Sequence, residues 1–508
     1  MSKHIFETIR TDVLIIGAGA AGIRAAVAAS QSGAEVLIAG TRTIANSGSS
    51  FSSLTKGWGI QGLVGKERTA QNLEQFYSEI IRIGLGKCDP SLVRILVEES
   101  GPRIEDLVSF GLRFKKNDRG EPVRAKGCFS SIERAFLTED YSNVKETFQS
   151  VVNRTNIRFL EGRAIDLIVA DDQCWGAWIF TNDKRIVQVG AKSTILATGG
   201  GAAVFPVAFA GATEIGDGYT IASIAGAELI NMEYIQFMLG LKIGDECFFL
   251  PLSQLEQPYM LQDESGDDLL QKYISDTVKR RAAVSERQGH FPFSCRDQSC
   301  LVDLAVAEER QKGKKVFWKT DRASDPLEVD HFSHAFNGGL RINEFTETTL
   351  CGLFAAGEVA AGPHGADRIG GCMMTATQVF GERAGRFSAA RSRKIRNFPV
   401  MRSEPDLALH FGNPQERIDL IQMQQTSKSA IGKHLSVLRG SRGLSRCKEA
   451  LDRIRADYAA IRFASFDMLD FLDLRSILTV GALIVGSALK NPVSTGSHFR
   501  IDGPNNYP

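Results

Sequence analysis

The chain has 508 residues, 55.5 kDa, with 60 Lys and Arg against 59 Asp and Glu. That length allows roughly three domains, and an apolar content of 43% is ordinary for a globular protein. A formal charge of +1 argues against nucleic acid as the main partner, because phosphate binding needs clustered positive charge.

Thr11–Ile16 is a short β-rich run that leads into Gly17-Ala18-Gly19-Ala20-Ala21-Gly22, and an Ala-rich helical stretch follows to about Ser32. Gly33 closes that stretch, and Glu35–Ala39 predicts a second strand. Strand, glycine turn, helix and strand in this order form a dinucleotide-binding fingerprint. Gly17 permits the tight turn, Gly19 lets a pyrophosphate approach the backbone, and Gly22 lets the helix pack against the sheet. Ala21 lies in the same turn, against the cofactor. The helix start offers its unpaired N–H groups to the phosphates. The second strand ends in Ala39-Gly40-Thr41-Arg42, where an acidic residue is expected for the ribose. A hydroxyl such as that of Thr41, or backbone groups, would then take that role.

Residues 43–66, with Ser47, are rich in Gly, Ser and Thr, suited either to backbone amides against a flat ligand or to a surface loop. Residues 70–160 read as helical and mixed, with a helix over Val144–Val152, and Ile157–Gly200 reads as paired strands ending in Ala197-Thr198-Gly199-Gly200. Gly211–Gly218, which contains Asp217, precedes a helix and then Asn231–Phe237. Residues 238–330 turn charge-rich and irregular, which suggests an inserted domain. Sheet-like patterning resumes at 331, followed by a glycine-rich turn at Gly362–Gly371. A linker near Pro399–Pro405 leads to a helical tail, in which Asn413-Pro414 reads as a helix start. Leu451, Ile454, Tyr458 and Ile461 recur at helical spacing there.

The nine cysteines are scattered and odd in number, which suits a reducing cytoplasm rather than a disulfide framework. Cys295 and Cys300 alone lie close, as two buried thiols or a redox pair. The N-terminus lacks an apolar signal region. Ser476–Leu489 is too short an apolar run for the ~20 residues a spanning helix needs. No transmembrane segment and a cytoplasmic location are expected.

The most specific stretch is His334-Ala335-Phe336-Asn337-Gly338-Gly339-Leu340, then Gly352–Glu358 (GLFAAGE), then His364-Gly365-Ala366-Asp367-Arg368-Ile369-Gly370-Gly371. It resembles the HxxxGGI, GLYAAGE, HGANRLGG series of the fumarate reductase, succinate dehydrogenase and L-aspartate oxidase flavoproteins. Ser494–Asp502 is similar to that family's closing SRGxHxRxD, with Thr495 in place of arginine. The resemblance runs from residue 11 to the end. It implies an α/β fold with a Rossmann-like FAD-binding domain in two parts, 1–237 and 331–398. An inserted α+β capping domain at 238–330 and a helical C-terminal domain at 405–508 complete it.

By the same resemblance, Thr198, Gly199, Asp217, Met373 and Met374 join Gly17, Gly19, Ala21, Gly22, Thr41 and Ser47 around FAD. Glu358 would hold its ribityl or ribose hydroxyls. Arg368 and His334 would clamp one substrate carboxylate, since a guanidinium matches a carboxylate bidentately. Arg296, in Ser294-Cys295-Arg296-Asp297, would move a proton to or from the substrate carbon or stabilise a developing enolate. Taken singly, each has a plainer reading: an ion pair with Asp297, a core histidine, a loop salt bridge. Several members attach FAD through a histidine after the second strand; here no histidine lies between His4 and His290, so non-covalent FAD is expected.

The chain departs from the family where a second carboxylate would bind. The family's Gln-Phe-His-Pro-Thr is Gln236-Phe237-Met238-Leu239-Gly240 here, and Phe248–Leu252 stands where a Thr-Glu pair is expected. An apolar pocket does not hold a second carboxylate cheaply, unless Lys242 or Arg280 reaches in. The reading is an FAD-dependent oxidoreductase moving a hydride between flavin N5 and a carboxylate-bearing substrate other than succinate or fumarate. Alternatives are an L-aspartate-oxidase-like amino-acid oxidase, a flavoprotein that works with an iron–sulfur partner as in adenylylsulfate reductase, and an inactive FAD-binding scaffold. Reaction direction and electron acceptor stay open.

Overall fold

A computed structural model describes residues 7–51, 57–244, 246–255, 261–319, 326–399, 405, 419–462 and 468–504. Strand β1 (Glu7–Ile16) runs into helix α1 (Ala20–Gln31) and strand β2 (Val36–Gly40). Val13–Ile16 and all of β2 are buried, as expected of parallel strands covered on both faces. β1 pairs parallel with both β2 and Ile186–Leu196, and β2 pairs with Arg158–Ala170, so the sheet closes on itself. Leu353–Ala355 adds a parallel strand beside Ile186–Leu196. The alanines of α1 allow close packing against helix Cys372–Ser392. A Cβ on Gly385 would stand 2.1 Å from the Ala25 carbonyl oxygen.

The insert is bounded by two strands, Ile235–Ile243 and Leu327–Phe336, which pair antiparallel from Ile235↔Phe336 to Leu241↔Val329. Chain entry and exit are therefore adjacent. Glu246–Phe249, Val316–Trp318 and Leu261–Gln262 extend this sheet, and helices Thr277–Arg287 and Cys300–Gln311 belong to the same segment. The returning strand starts at Leu327, four residues before the sequence pattern suggests. Glu328 and Asp330 read as irregular charge, yet they are alternate strand positions paired with Arg310 at 2.7 and 2.6 Å.

In the tail, helices Leu420–Leu435, Ser441–Ala460 and Met468–Lys490 pack on one another. Leu451 and Ile461 are buried, with Ile454 and Tyr458 packed against the core. Asn413-Pro414 and most of the expected linker lie outside the described residues. Met468–Lys490 carries Asp470, Asp473 and Arg475, and no described helix is long and apolar enough to cross a membrane. Arg163, on strand Arg158–Ala170, ties this helix to the N-terminal sheet: it holds Asp217 through two bonds of 2.8 and 2.7 Å and also pairs with Asp473. Ser476 donates to the same Asp217 carboxylate.

Candidate active site

The glycine turn has one solution sterically. Gly17 has φ +115°, and a Cβ there would lie 2.2 Å from the Ala197 carbonyl oxygen. A Cβ on Gly22 would lie 1.9 Å from the Gly17 oxygen. A Cβ on Gly19 would meet no protein atom within 4 Å, because it faces an open cavity. Gly19 is also the N-cap of α1 and supplies no side-chain acceptor, so the first amides of the helix stay available to a ligand.

That cavity has a volume of about 1080 Å³, at the upper end for small-molecule sites. Gly17, Gly19, Ala21, Thr41, Ser47, Thr198, Gly199, Asp217, Glu358, Met373 and Met374 all line it. Gly22 does not; it sits beneath the turn, where it permits the close helix contact. Asp217 reaches the wall with its carboxylate already engaged by Arg163 and Ser476. The Thr198 hydroxyl is buried there without a protein partner, as an acceptor or donor awaiting a ligand would be.

His334 and Arg368 line the same cavity although they come from different segments. His334 sits near the end of strand Leu327–Phe336, and Arg368 comes from the loop before helix Cys372–Ser392. Arg368 donates to the side chain of Gln236 on strand Ile235–Ile243. Its Nε, and Nδ1 of His334, are buried without a protein partner. Leaving such groups unpaired costs ~1–3 kcal/mol each, more for a charged one, so both atoms call for an incoming partner, an acceptor in the case of Arg368. Burial, then the neighbouring guanidinium, holds His334 down to about 4, so it is neutral at pH 7. Arg163 and Arg368 are the cations among the described lining residues, and Arg163 is already held by two carboxylates. Lys242 is exposed and Arg280 donates to the Ile274 carbonyl; neither lines the cavity.

Arg296 stands behind this wall. Its Nε pairs with Asp367 at 3.1 Å, not with Asp297, and its Nη2 donates to the Ile83 carbonyl at 3.0 Å. Asp367 is buried, also accepts from Ser294 Oγ at 2.6 Å, and leaves Oδ1 without a partner. Burial pushes its carboxyl up to about 6 even against Arg296 and Ser294. Arg296 thus connects to Arg368 through the adjacent residue. Asp367 was legible in the sequence only as an aspartate where the family's HGANRLGG has asparagine. The Arg296 loop is further stitched to the tail: Cys295 N donates to the Gly496 carbonyl, and Ser497 Oγ to the Ala366 carbonyl. His498 lies between Arg439 and the Asn491 carbonyl.

Glu358 is half-buried at the cavity wall and accepts from Phe336 N at 2.9 Å. Burial and the nearby Glu214 raise its carboxyl to about 7, with Phe336 and Arg368 opposing. Glu214, which the sequence reading did not single out, also lines the cavity, and burial raises its carboxyl too. Phe209, Cys247, Phe248 and Phe249 form an apolar part of the wall, again unforeseen except as a missing Thr-Glu pair.

The FAD binding domain family model matches residues 12–254 and 305–374. The fumarate reductase (CoM/CoB) chain of Methanothermobacter marburgensis is 29% identical over 538 residues, covering 100% of this chain and 96% of that one. L-aspartate oxidase of Halobacterium salinarum is 27% identical, covering 98% and 97%. Among solved structures, Mycobacterium smegmatis Sdh1 in complex with UQ1 superposes with a TM-score of 0.81 over 99% of this chain and 90% of that chain. At 20% identity that match speaks for the fold alone.

Proposed function

The chain belongs to the FAD-binding-domain family of oxidoreductases related to fumarate reductase, succinate dehydrogenase and L-aspartate oxidase, and from there we propose a substrate with one clamped carboxylate. It is an FAD-dependent oxidoreductase, with the cofactor held non-covalently. The cradle fits that cofactor: Gly19 leaves open space, the α1 amides face it, and the Thr198 hydroxyl lacks a protein partner. Bound FAD supplies a two-electron hydride acceptor or donor.

Arg368 binds the substrate carboxylate bidentately and neutral His334 adds a directed hydrogen bond, which fixes the adjacent carbon. Gln236 orients the guanidinium from behind. The proton that accompanies hydride transfer passes through the Arg368 wall to Arg296 and Asp367 behind it, where the Asp367 carboxyl lies near 6 and can exchange a proton close to neutrality. The observation that carries this reading is the charge of the wall: Arg368 is its one arginine outside an ion pair among the described residues. A second carboxylate would find aromatic carbon and Glu214 or Glu246 instead.

An anaerobic screen of mono- and dicarboxylates against the flavin spectrum tests the reading. A monocarboxylate is expected to bleach oxidised flavin, or its unsaturated form to reoxidise reduced flavin. Succinate and fumarate should react at least ~10²-fold less efficiently, for two lost charged hydrogen bonds. Efficient turnover of either would return the protein to the dicarboxylate branch. Turnover of any acid that vanishes in Arg296→Gln would exclude an inactive scaffold.

A further inference from the structure

The apolar part of the wall is more ordered than a mere loss of polar anchors requires. Phe209 stacks on Phe332 with centroids 4.7 Å apart, and Phe249 lies 4.3 Å from Phe209. Phe291 continues the row at 5.5 Å from Phe249. Met238 is buried in the same cluster as Phe209 and Phe332. Gly240 makes the stack possible: a Cβ there would lie 2.6 Å from both Phe209 Cζ and Phe332 Cδ2. Met238 stands where a histidine anchor is expected, two residues before Gly240 on the same strand. The strand that lacks the histidine anchor therefore also leaves room for rings.

The row adjoins the carboxylate clamp. Phe209 N donates to the Ser333 carbonyl at 2.8 Å, and Ser333 N to the Val207 carbonyl, so the backbone of Phe209 is paired beside His334. Phe248 and Phe249 lie on an edge strand, line the cavity, and remain 40% and 47% exposed. Partly exposed rings that share a cavity with an arginine whose Nε has no partner mark the other half of an amphipathic ligand site.

We propose that Phe209, Phe248 and Phe249 form a subsite for an aromatic ring on the substrate, making that substrate an aryl-substituted monocarboxylic acid. The inference rests on the single-carboxylate reading and names what lies at the other end. An aryl group can add an offset or edge-on ring to a row already spaced at 4.3–5.5 Å. A short aliphatic acid would leave these faces wet. Glu246, at the same part of the wall, disfavours a second anionic group.

Calorimetric titration of the FAD-loaded enzyme with propanoate, 3-phenylpropanoate and succinate tests it without turnover. 3-Phenylpropanoate should bind at least ~10-fold tighter than propanoate, the gain from burying about one ring face. Phe249→Ala, at a half-exposed position that a truncation can leave folded, should erase most of that gain and leave propanoate within about twofold. Equal affinities for propanoate and 3-phenylpropanoate, or an unchanged ratio in Phe249→Ala and Phe248→Ala alike, would overturn the inference alone. Absence of binding by both monocarboxylates, or tighter binding of succinate, would overturn the single-carboxylate reading with it.

Discussion

The two ends of the cavity are built from different materials. The glycine turn at Gly17–Gly22 is a backbone site: its shape follows from φ angles and missing Cβ atoms within six consecutive residues. The proposed substrate end is a side-chain site, assembled from Phe209, Gln236, Phe249, His334 and Arg368, which are scattered over some 160 positions. The first resists almost any substitution. The second can be rewritten by changing a few side chains on the same backbone, and on the proposed reading Met238 in place of a histidine does so. A family can therefore keep its cofactor while its substrate changes.

The comparison can be broken most sharply within the turn. Gly22→Val should fail to fold, since its Cβ would overlap the Gly17 carbonyl and cost more than ~3 kcal/mol. Gly19→Val should fold, because Gly19 is extended (φ −78°) with open space at its Cβ, yet bind FAD at least ~10²-fold more weakly. Thermal melts and flavin content measure both. A Gly19→Val protein that retains FAD would show that the cofactor does not approach this turn.

At the other end, Arg368→Gln should leave flavin content unchanged and lower kcat/KM for the substrate acid by ~10²–10³-fold, as one bidentate charged contact warrants. Loss of flavin instead would place Arg368 in the cofactor site. Asp367→Asn should lower kcat about tenfold and remove a limb of the pH–rate profile near 6. In the dehydrogenating direction the wild-type rate should rise with pH through that limb, because Asp367 accepts only when ionised. An unshifted profile would relieve Asp367 of proton transfer.

The smallest effect joins the two ends. Glu358 has a carboxyl raised to about 7 by burial, against an ordinary value of 4.5. Ionising it costs the folded apoprotein stability, absent below the ordinary value and fully felt above about 7. Glu358→Gln should therefore raise the apoprotein melting temperature at pH 8 and hardly change it at pH 4.5. An equal shift at both pH values would mean that shape, not charge, limits stability there.

The cofactor half was legible in the sequence because it is local. Strand, glycine spacing and helix fix one another within about 30 residues, and the resemblance carried the order of the later blocks. The departure from the family at Met238, in place of histidine, was legible too. Tertiary structure decided the rest. It placed Arg296 behind Asp367 rather than on the cavity wall, kept Lys242 and Arg280 away from it, and set Phe209 beside His334. These relations depend on two strands that leave and rejoin the sheet about 90 residues apart and pair in one register. Spacing along the chain encodes backbone turns, whereas the meeting of distant side chains is set only when the strands that carry them pair.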